Sequence, residues 1–179
     1  MYIIPNVLTI MRLLMVPLIV LLIIEDQMTS AFAVFVVAGI TDGLDGFLAK
    51  RFDWSTELGA WLDPAADKAL LVSIYVTLGL FDAIPAWLVI LVVSRDLLIV
   101  GGILLSWLME HPVAMKPLII SKINTAGQIF LAALVLADLG LQLGLGNVVS
   151  MLILLVAAST ILSAIAYLRG WFKHMVPYQ

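Results

Sequence analysis

An all-α integral membrane protein, with six transmembrane helices and a short N-terminal interfacial helix, is the fold class this sequence predicts. Three observations predict it. The 179 residues are 64% hydrophobic and 12% charged, with a mean hydropathy of +1.18, whereas soluble domains carry about 45–50% apolar and about 25% charged residues. The apolar stretches are each about 20 residues long, as an α-helix crossing a hydrocarbon core about 30 Å thick requires. The connections between them are short, and no linker, low-complexity segment or internal repeat marks a second domain, so residues 1–179 read as one membrane domain.

The same composition narrows the chemistry. A net charge of −3 and a pI near 5.1 argue against nucleic acid as a partner. With no cysteine, disulfides, thiolate zinc sites, iron–sulfur clusters and thiolate catalysis are excluded. The N-terminus does not read as a signal peptide, because no basic residue precedes Arg12 and the apolar run passes any small-residue cleavage site.

The spans are expected near 6–24, 30–51, 58–80, 85–108, 122–138 and 147–168. With the N-terminus inside, Lys50, Arg51, Lys116, Lys122, Arg169 and Lys173 fall at or near the cytoplasmic side. The opposite loops hold Glu25, Asp26, Asp82 and Asp138 without Lys or Arg, as the positive-inside rule asks. Ahead of span 1, YIIPNVLTIMR reads as an entry along the interface, with Pro5 at a helix start. Asn6, Thr9 and Arg12 recur every third residue there, either as a snorkelling anchor or as a ligand-contacting strip over an acidic site.

That acidic site lies in Thr41–Lys68. Asp42, Asp45, Gly46 and Ala49 fall within an arc of about 100° on a helix. Gly59, Asp63 and Asp67 form a second stripe of similar width, so two helices could face each other with two carboxylates and one glycine apiece. Each carboxylate at the centre of a membrane helix costs about 2.5–3.5 kcal/mol on insertion scales, so the set needs a function. Pro64 should bend span 3 or mark its true start, which is tolerable only beside a filled cavity.

Span 4 buries Ser94-Arg95-Asp96 mid-membrane. Adjacent helical residues do not face each other, which favours an anion site at Arg95 over an Arg95–Asp96 pair. Lys122 begins span 5 among Ser121, Asn124 and Thr125, a polar helix start able to hold phosphate. His111 and His174 read as interfacial. Gly39 and Gly43 form a GxxxG that close packing on a neighbouring helix explains at least as well as dimerisation. The small residues of span 6, Ser159 and Ser163 among them, read as packing too.

Three readings of the carboxylates compete. They could pair structurally with Lys50, Arg51 and Lys68, or carry a cation or proton as a transporter. In the enzyme reading, carboxylates without His or Cys select hard divalent ions such as Mg²⁺ or Mn²⁺, which clamp a diphosphate. Gly46 and Gly59 clear space for a nucleotide, Lys50 and Arg51 reach phosphate oxygens, and one carboxylate takes a proton from an acceptor hydroxyl.

The spacing D-x-x-D-G-x-x-A-x, eight residues, G-x-x-x-D-x-x-x-D resembles the signature of the CDP-alcohol phosphatidyltransferases. One position departs, since the family usually has Arg at Lys50, and Lys lacks the two-pronged grip on phosphate. The resemblance runs from about Ile3 to Gln128 and includes IPNVLTIMR, SRDLLIV and ISKINTAGQ. The last two are more similar to CMP-forming cardiolipin synthases than to the glycerol-phosphate branch.

The resemblance implies two Mg²⁺ or Mn²⁺ ions on Asp42, Asp45, Asp63 and Asp67, bridging the diphosphate of CDP-diacylglycerol. It implies nucleotide contacts from Asp45, Gly46, Ala49, Lys50 and Gly59, with Asn6 and Thr9 beside them. Asp67 would be the general base, and Arg95 and Lys122 would hold the acceptor's phosphate. The acceptor implied first is phosphatidylglycerol, giving cardiolipin, with glycerol 3-phosphate as the alternative. A homodimer and a bacterial inner membrane or its equivalent, with the active site on the cytoplasmic side, complete the expectation.

Overall fold

The computed structural model describes the backbone of residues 3–52, 57–108 and 119–175, and within these the side chains of 10–43, 66–102, 104, 105, 108 and 119–171. The described residues form helices and turns without a strand. The helices are α1 (Ile3–Ile24), α2 (Met28–Phe52), α3 (Glu57–Leu80), α4 (Ala86–Leu108), α5 (Ile119–Leu141) and α6 (Gly146–Met175). Each predicted span lies inside one helix, apart from Pro85, whose carbonyl accepts from Leu88 N just before α4.

Two expectations are corrected. The N-terminal segment is not a separate interfacial helix, since α1 runs unbroken from Ile3 to Ile24. Pro5 stands in its first turn, where no backbone donor is needed, and nothing between Asn6 and Arg12 breaks a helix. At Pro64, span 3 does not begin anew, because α3 is already helical from Glu57. The Phe52–Glu57 bend and most of the Met109–Ser121 loop, His111 included, lie outside the described residues.

The helices fall into two compact units, Met1–Ala83 with Ala132–Gly146, and Ile84–Leu131 with Asn147–Gln179. In the first, α1 packs on both α2 and α3, and Ile19, Ile23, Ile74, Tyr75 and Leu78 are wholly enclosed. The ends of α1, α3 and α5 in this unit close with a residue of positive φ: Asp26 at 58°, Asp82 at 56° and Gln142 at 52°. Gln27 N bonds to Leu22 O and Asp26 N to Ile23 O, and Ala83 N and Asp82 N repeat the pattern on Leu78 O and Gly79 O. These paired bonds are Schellman closures, which satisfy the last carbonyls of a helix and allow connections this short. The start of α2 lies so close to the end of α5 that Thr29 Oγ1 donates to Gly140 O at 2.7 Å.

Among the described residues two helices are long and apolar enough to cross a membrane, Ile119–Leu141 at mean hydropathy 1.6 and Gly146–Trp171 at 2.5. Many large apolar side chains point outward, including Leu14, Leu80, Ile90, Leu97, Ile119 and Leu154. In water so extensive an apolar surface would drive aggregation, whereas lipid accepts it. Among the described residues none packs closely on Gly39 or Gly43, the GxxxG read as packing or dimerisation. A Cβ added at either meets no described atom within 4 Å.

Candidate active site

The first constellation is built by α1, α2 and α3. Arg12 is 1% exposed, although its flanking helix is apolar and a charge there must find partners. It finds two. Its Nη1 donates to Asp67 Oδ1 at 2.9 Å, and its Nη2 stands 2.7 Å from Asp42 Oδ1 as a charge contact without hydrogen-bond angles. The two carboxylates are nearly half exposed, at 46% and 45%. The guanidinium therefore lies behind them, and their open sides face outward. Arg12 is thus not a snorkelling anchor; it lies against the acidic residues, toward the second reading of its strip.

Asp42 belongs to the first acidic stripe and Asp67 to the second, so the structure brings one carboxylate of each stripe to the same guanidinium. Asp45, Gly46, Ala49 and Lys50 lie on α2, Gly59 and Asp63 on α3, and Asn6 and Thr9 on α1. The side chains of these eight fall outside the described residues. Among the described residues no group of three or more metal-ligating side chains forms. Asp42 and Asp67 nonetheless offer hard oxygen donors within the width of one guanidinium, a donor set that fits Mg²⁺ or Mn²⁺.

The second constellation is built by α4, α5 and α6. Arg95 is 3% exposed. Its Nη1 donates to Asp96 Oδ1 at 2.7 Å, so the adjacent pair that helical geometry disfavoured does form. The long guanidinium arm folds back alongside the short carboxylate. Nε and Nη2 donate to Ser163 Oγ at 3.2 and 2.6 Å, and Nη2 also donates to Ser121 Oγ. The Tyr167 ring centre lies 5.7 Å from the guanidinium carbon, within cation–π range. Lys122 is exposed, while its neighbour Ser121 turns toward Arg95.

One turn further along α5, Asn124 is fully buried and its Oδ1 accepts from Ser159 Oγ at 2.7 Å and Thr160 Oγ1 at 2.9 Å. Ser159 and Ser163 of α6, read from sequence as packing residues, are therefore the polar partners of α5 and α4. Beside this centre an apolar groove of about 260 Å³ is lined by Leu98, Ile99, Leu105, Tyr167 and Trp171. Sequence reasoning names Arg12 and Ser121 but not their partners, and it misses Ser163 as a polar group. The signal for Arg12 was an arginine inside an apolar helix with no carboxylate on its own face.

Residues 2–169 match the family model of the CDP-alcohol phosphatidyltransferases. The chain is 37% identical over 152 residues to the human cardiolipin synthase (CMP-forming), covering 75% of this chain and 50% of the relative. It is 35% identical over 182 residues to the rice chloroplastic CDP-diacylglycerol–glycerol-3-phosphate 3-phosphatidyltransferase 1, covering 91% of this chain and 55% of the relative. A probable cardiolipin synthase (CMP-forming) of Drosophila melanogaster is 35% identical over 157 residues, 79% of this chain and 47% of that protein. The chain thus spans about half the length of these relatives.

Proposed function

Because the chain belongs to the CDP-alcohol phosphatidyltransferase family, we propose that it transfers a phosphatidyl group from CDP-diacylglycerol to phosphatidylglycerol, releasing CMP and forming cardiolipin. The observation that carries this is the convergence of Asp42 and Asp67, from two separate acidic stripes, on one buried guanidinium. No transporter reading is needed once that convergence falls inside the family's matched region.

Held by Asp42, Asp45, Asp63 and Asp67, two Mg²⁺ or Mn²⁺ ions would offset the charge of the diphosphate and polarise the phosphorus under attack. Gly46 and Gly59 let the nucleotide approach the backbone. Asp45, Ala49 and Lys50 line it, and Asn6 and Thr9 close over it. Asp67 takes the proton from the acceptor hydroxyl. The hydroxyl oxygen then bonds to the phosphorus that carries diacylglycerol, the diphosphate P–O bond breaks, and CMP leaves. Arg95 and Lys122 hold the acceptor's phosphate, which exchanges with the neutral hydroxyls of Ser121 and Ser163 for a charge-assisted contact.

Phosphatidylglycerol is preferred because SRDLLIV and ISKINTAGQ are similar to the cardiolipin-forming branch, and because the human and Drosophila relatives carry that name. Glycerol 3-phosphate is the second reading, favoured by the rice relative that matches 91% of this chain. Six spans, a homodimer and a cytoplasmic active site belong to the same proposal, with the basic residues as their support. Mass spectrometry of the lipid made when both acceptors are supplied in equal amount tests the choice. Cardiolipin supports the first reading, and phosphatidylglycerol phosphate replaces it with the second.

A further inference from the structure

We propose that Arg12 is a built-in counter-cation of the acidic site, which couples the carboxylates when no divalent ion is bound and holds the site's intrinsic affinity for such ions down. The inference rests on the reading of Asp42 and Asp67 as metal ligands and goes beyond it by giving a role to a residue outside the acidic motif.

Burial supplies the first reason. Arg12 is 1% exposed, and its two terminal nitrogens each meet a carboxylate, one on α2 and one on α3. No solvent shares that charge. Geometry supplies the second. Each carboxylate gives Oδ1 to Arg12 and remains nearly half exposed, so a cation arriving from the open side meets the same two groups from the opposite direction. Arg12 would then add a positive charge beside the carboxylates that would hold the ion.

Two opposing effects follow from removing Arg12. The carboxylates lose a support that orients them, which weakens ion binding. They also lose a repelling charge, which strengthens it. At an effective dielectric of about 20, a divalent ion and a guanidinium across a shared carboxylate repel by more than a tenfold change in affinity represents. The orientation of two half-exposed side chains is worth less. Charge therefore decides the sign. With Arg12 beside Asp42 and Asp67, part of their negative charge is offset, so an ion is retained best when a diphosphate adds negative charge of its own.

The test measures Mn²⁺ binding by electron paramagnetic resonance on the full chain in detergent, without lipid substrate. Arg12→Gln, which removes the charge and retains bulk, is expected to bind Mn²⁺ about tenfold tighter than the native chain. Arg12→Lys, which keeps the charge but loses the fork, is expected to stay within about threefold. Equal or weaker binding by Arg12→Gln overturns the inference, as it would mark Arg12 as an orienting support alone. Should Arg12→Gln not fold, the lysine variant decides: affinity near native supports a charge effect, and a loss of about tenfold overturns it. If the native chain binds no Mn²⁺ even with CDP present, the metal-site reading itself fails and the inference falls with it.

Discussion

Arg12 Nη1 donates to Asp67 Oδ1 at 2.9 Å, joining the first helix of the chain to the carboxylate proposed as its general base. The bond fixes one oxygen of Asp67 and leaves the side chain 45% exposed. A base in that setting is oriented by protein on one side and open to a hydroxyl on the other. Asp67→Asn keeps the shape and an oxygen for Arg12 but cannot take a proton. It is expected to lower turnover by about 100-fold or more, with CDP-diacylglycerol binding still measurable by equilibrium titration. Unchanged turnover would remove Asp67 as the base.

Arg95 is embedded among Asp96, Ser121 and Ser163. Arg95→Ala takes from the buried Asp96 a charged partner, which should cost about 3–5 kcal/mol and lower the melting temperature. In the variant that remains folded, the acceptor KM should rise by about tenfold or more, while the KM for CDP-diacylglycerol changes little. An effect confined to CDP-diacylglycerol would refute the acceptor role.

Gly140 shows how closely the start of α2 meets the end of α5. A Cβ there would stand 2.7 Å from Thr29 N and 2.8 Å from Thr29 Cα. Backbone atoms cannot rotate away as a side chain can. Gly140→Ala is expected to destabilise the protein by about 1–3 kcal/mol, read as a lower melting temperature in detergent. No loss of stability would contradict the close approach.

Gln142 closes α5 with a φ of 52°, a conformation that costs an L-residue roughly 1–2 kcal/mol and glycine very little. Gln142→Gly should therefore raise stability modestly, by up to about 1 kcal/mol, after glycine's greater freedom in the unfolded chain is set against the relief. A thermal melt that moves downward would count against the strained closure.

Much of this architecture was legible in the sequence because its signals are local. Span length, short acidic turns and the repeat of Gly59, Asp63 and Asp67 each follow from one segment and its periodicity. The convergence of Asp42 with Asp67 followed from the two stripes, but the group between them did not. Arg12 was grouped with Asn6 and Thr9 by its spacing, and the counter-charge was sought at Lys50, Arg51 and Lys68, which are nearer in sequence. Only the packing of α1 on α2 and α3 brings the arginine to the carboxylates.

Arg95 and Asp96 fail in sequence for a related reason. The spacing rule concerns where Cβ atoms point, whereas a guanidinium reaches far enough to return to its neighbour. Ser163 looked like a small packing residue because its hydroxyl has meaning only opposite Arg95. The spacing of Gly39 and Gly43 suits packing or dimerisation alike, and no described atom lies within 4 Å of a Cβ added at either.

The central claim is that Asp42, Asp67 and their acidic neighbours transfer a phosphatidyl group, and release of CMP by the purified full chain tests it most directly. CDP-diacylglycerol would be supplied with Mg²⁺ or Mn²⁺ and either phosphatidylglycerol or glycerol 3-phosphate. CMP should appear only when donor, divalent ion and acceptor are all present, and should be lost in Asp67→Asn. No CMP from the native chain with either acceptor, under conditions where it is folded and binds Mn²⁺, would contradict the claim.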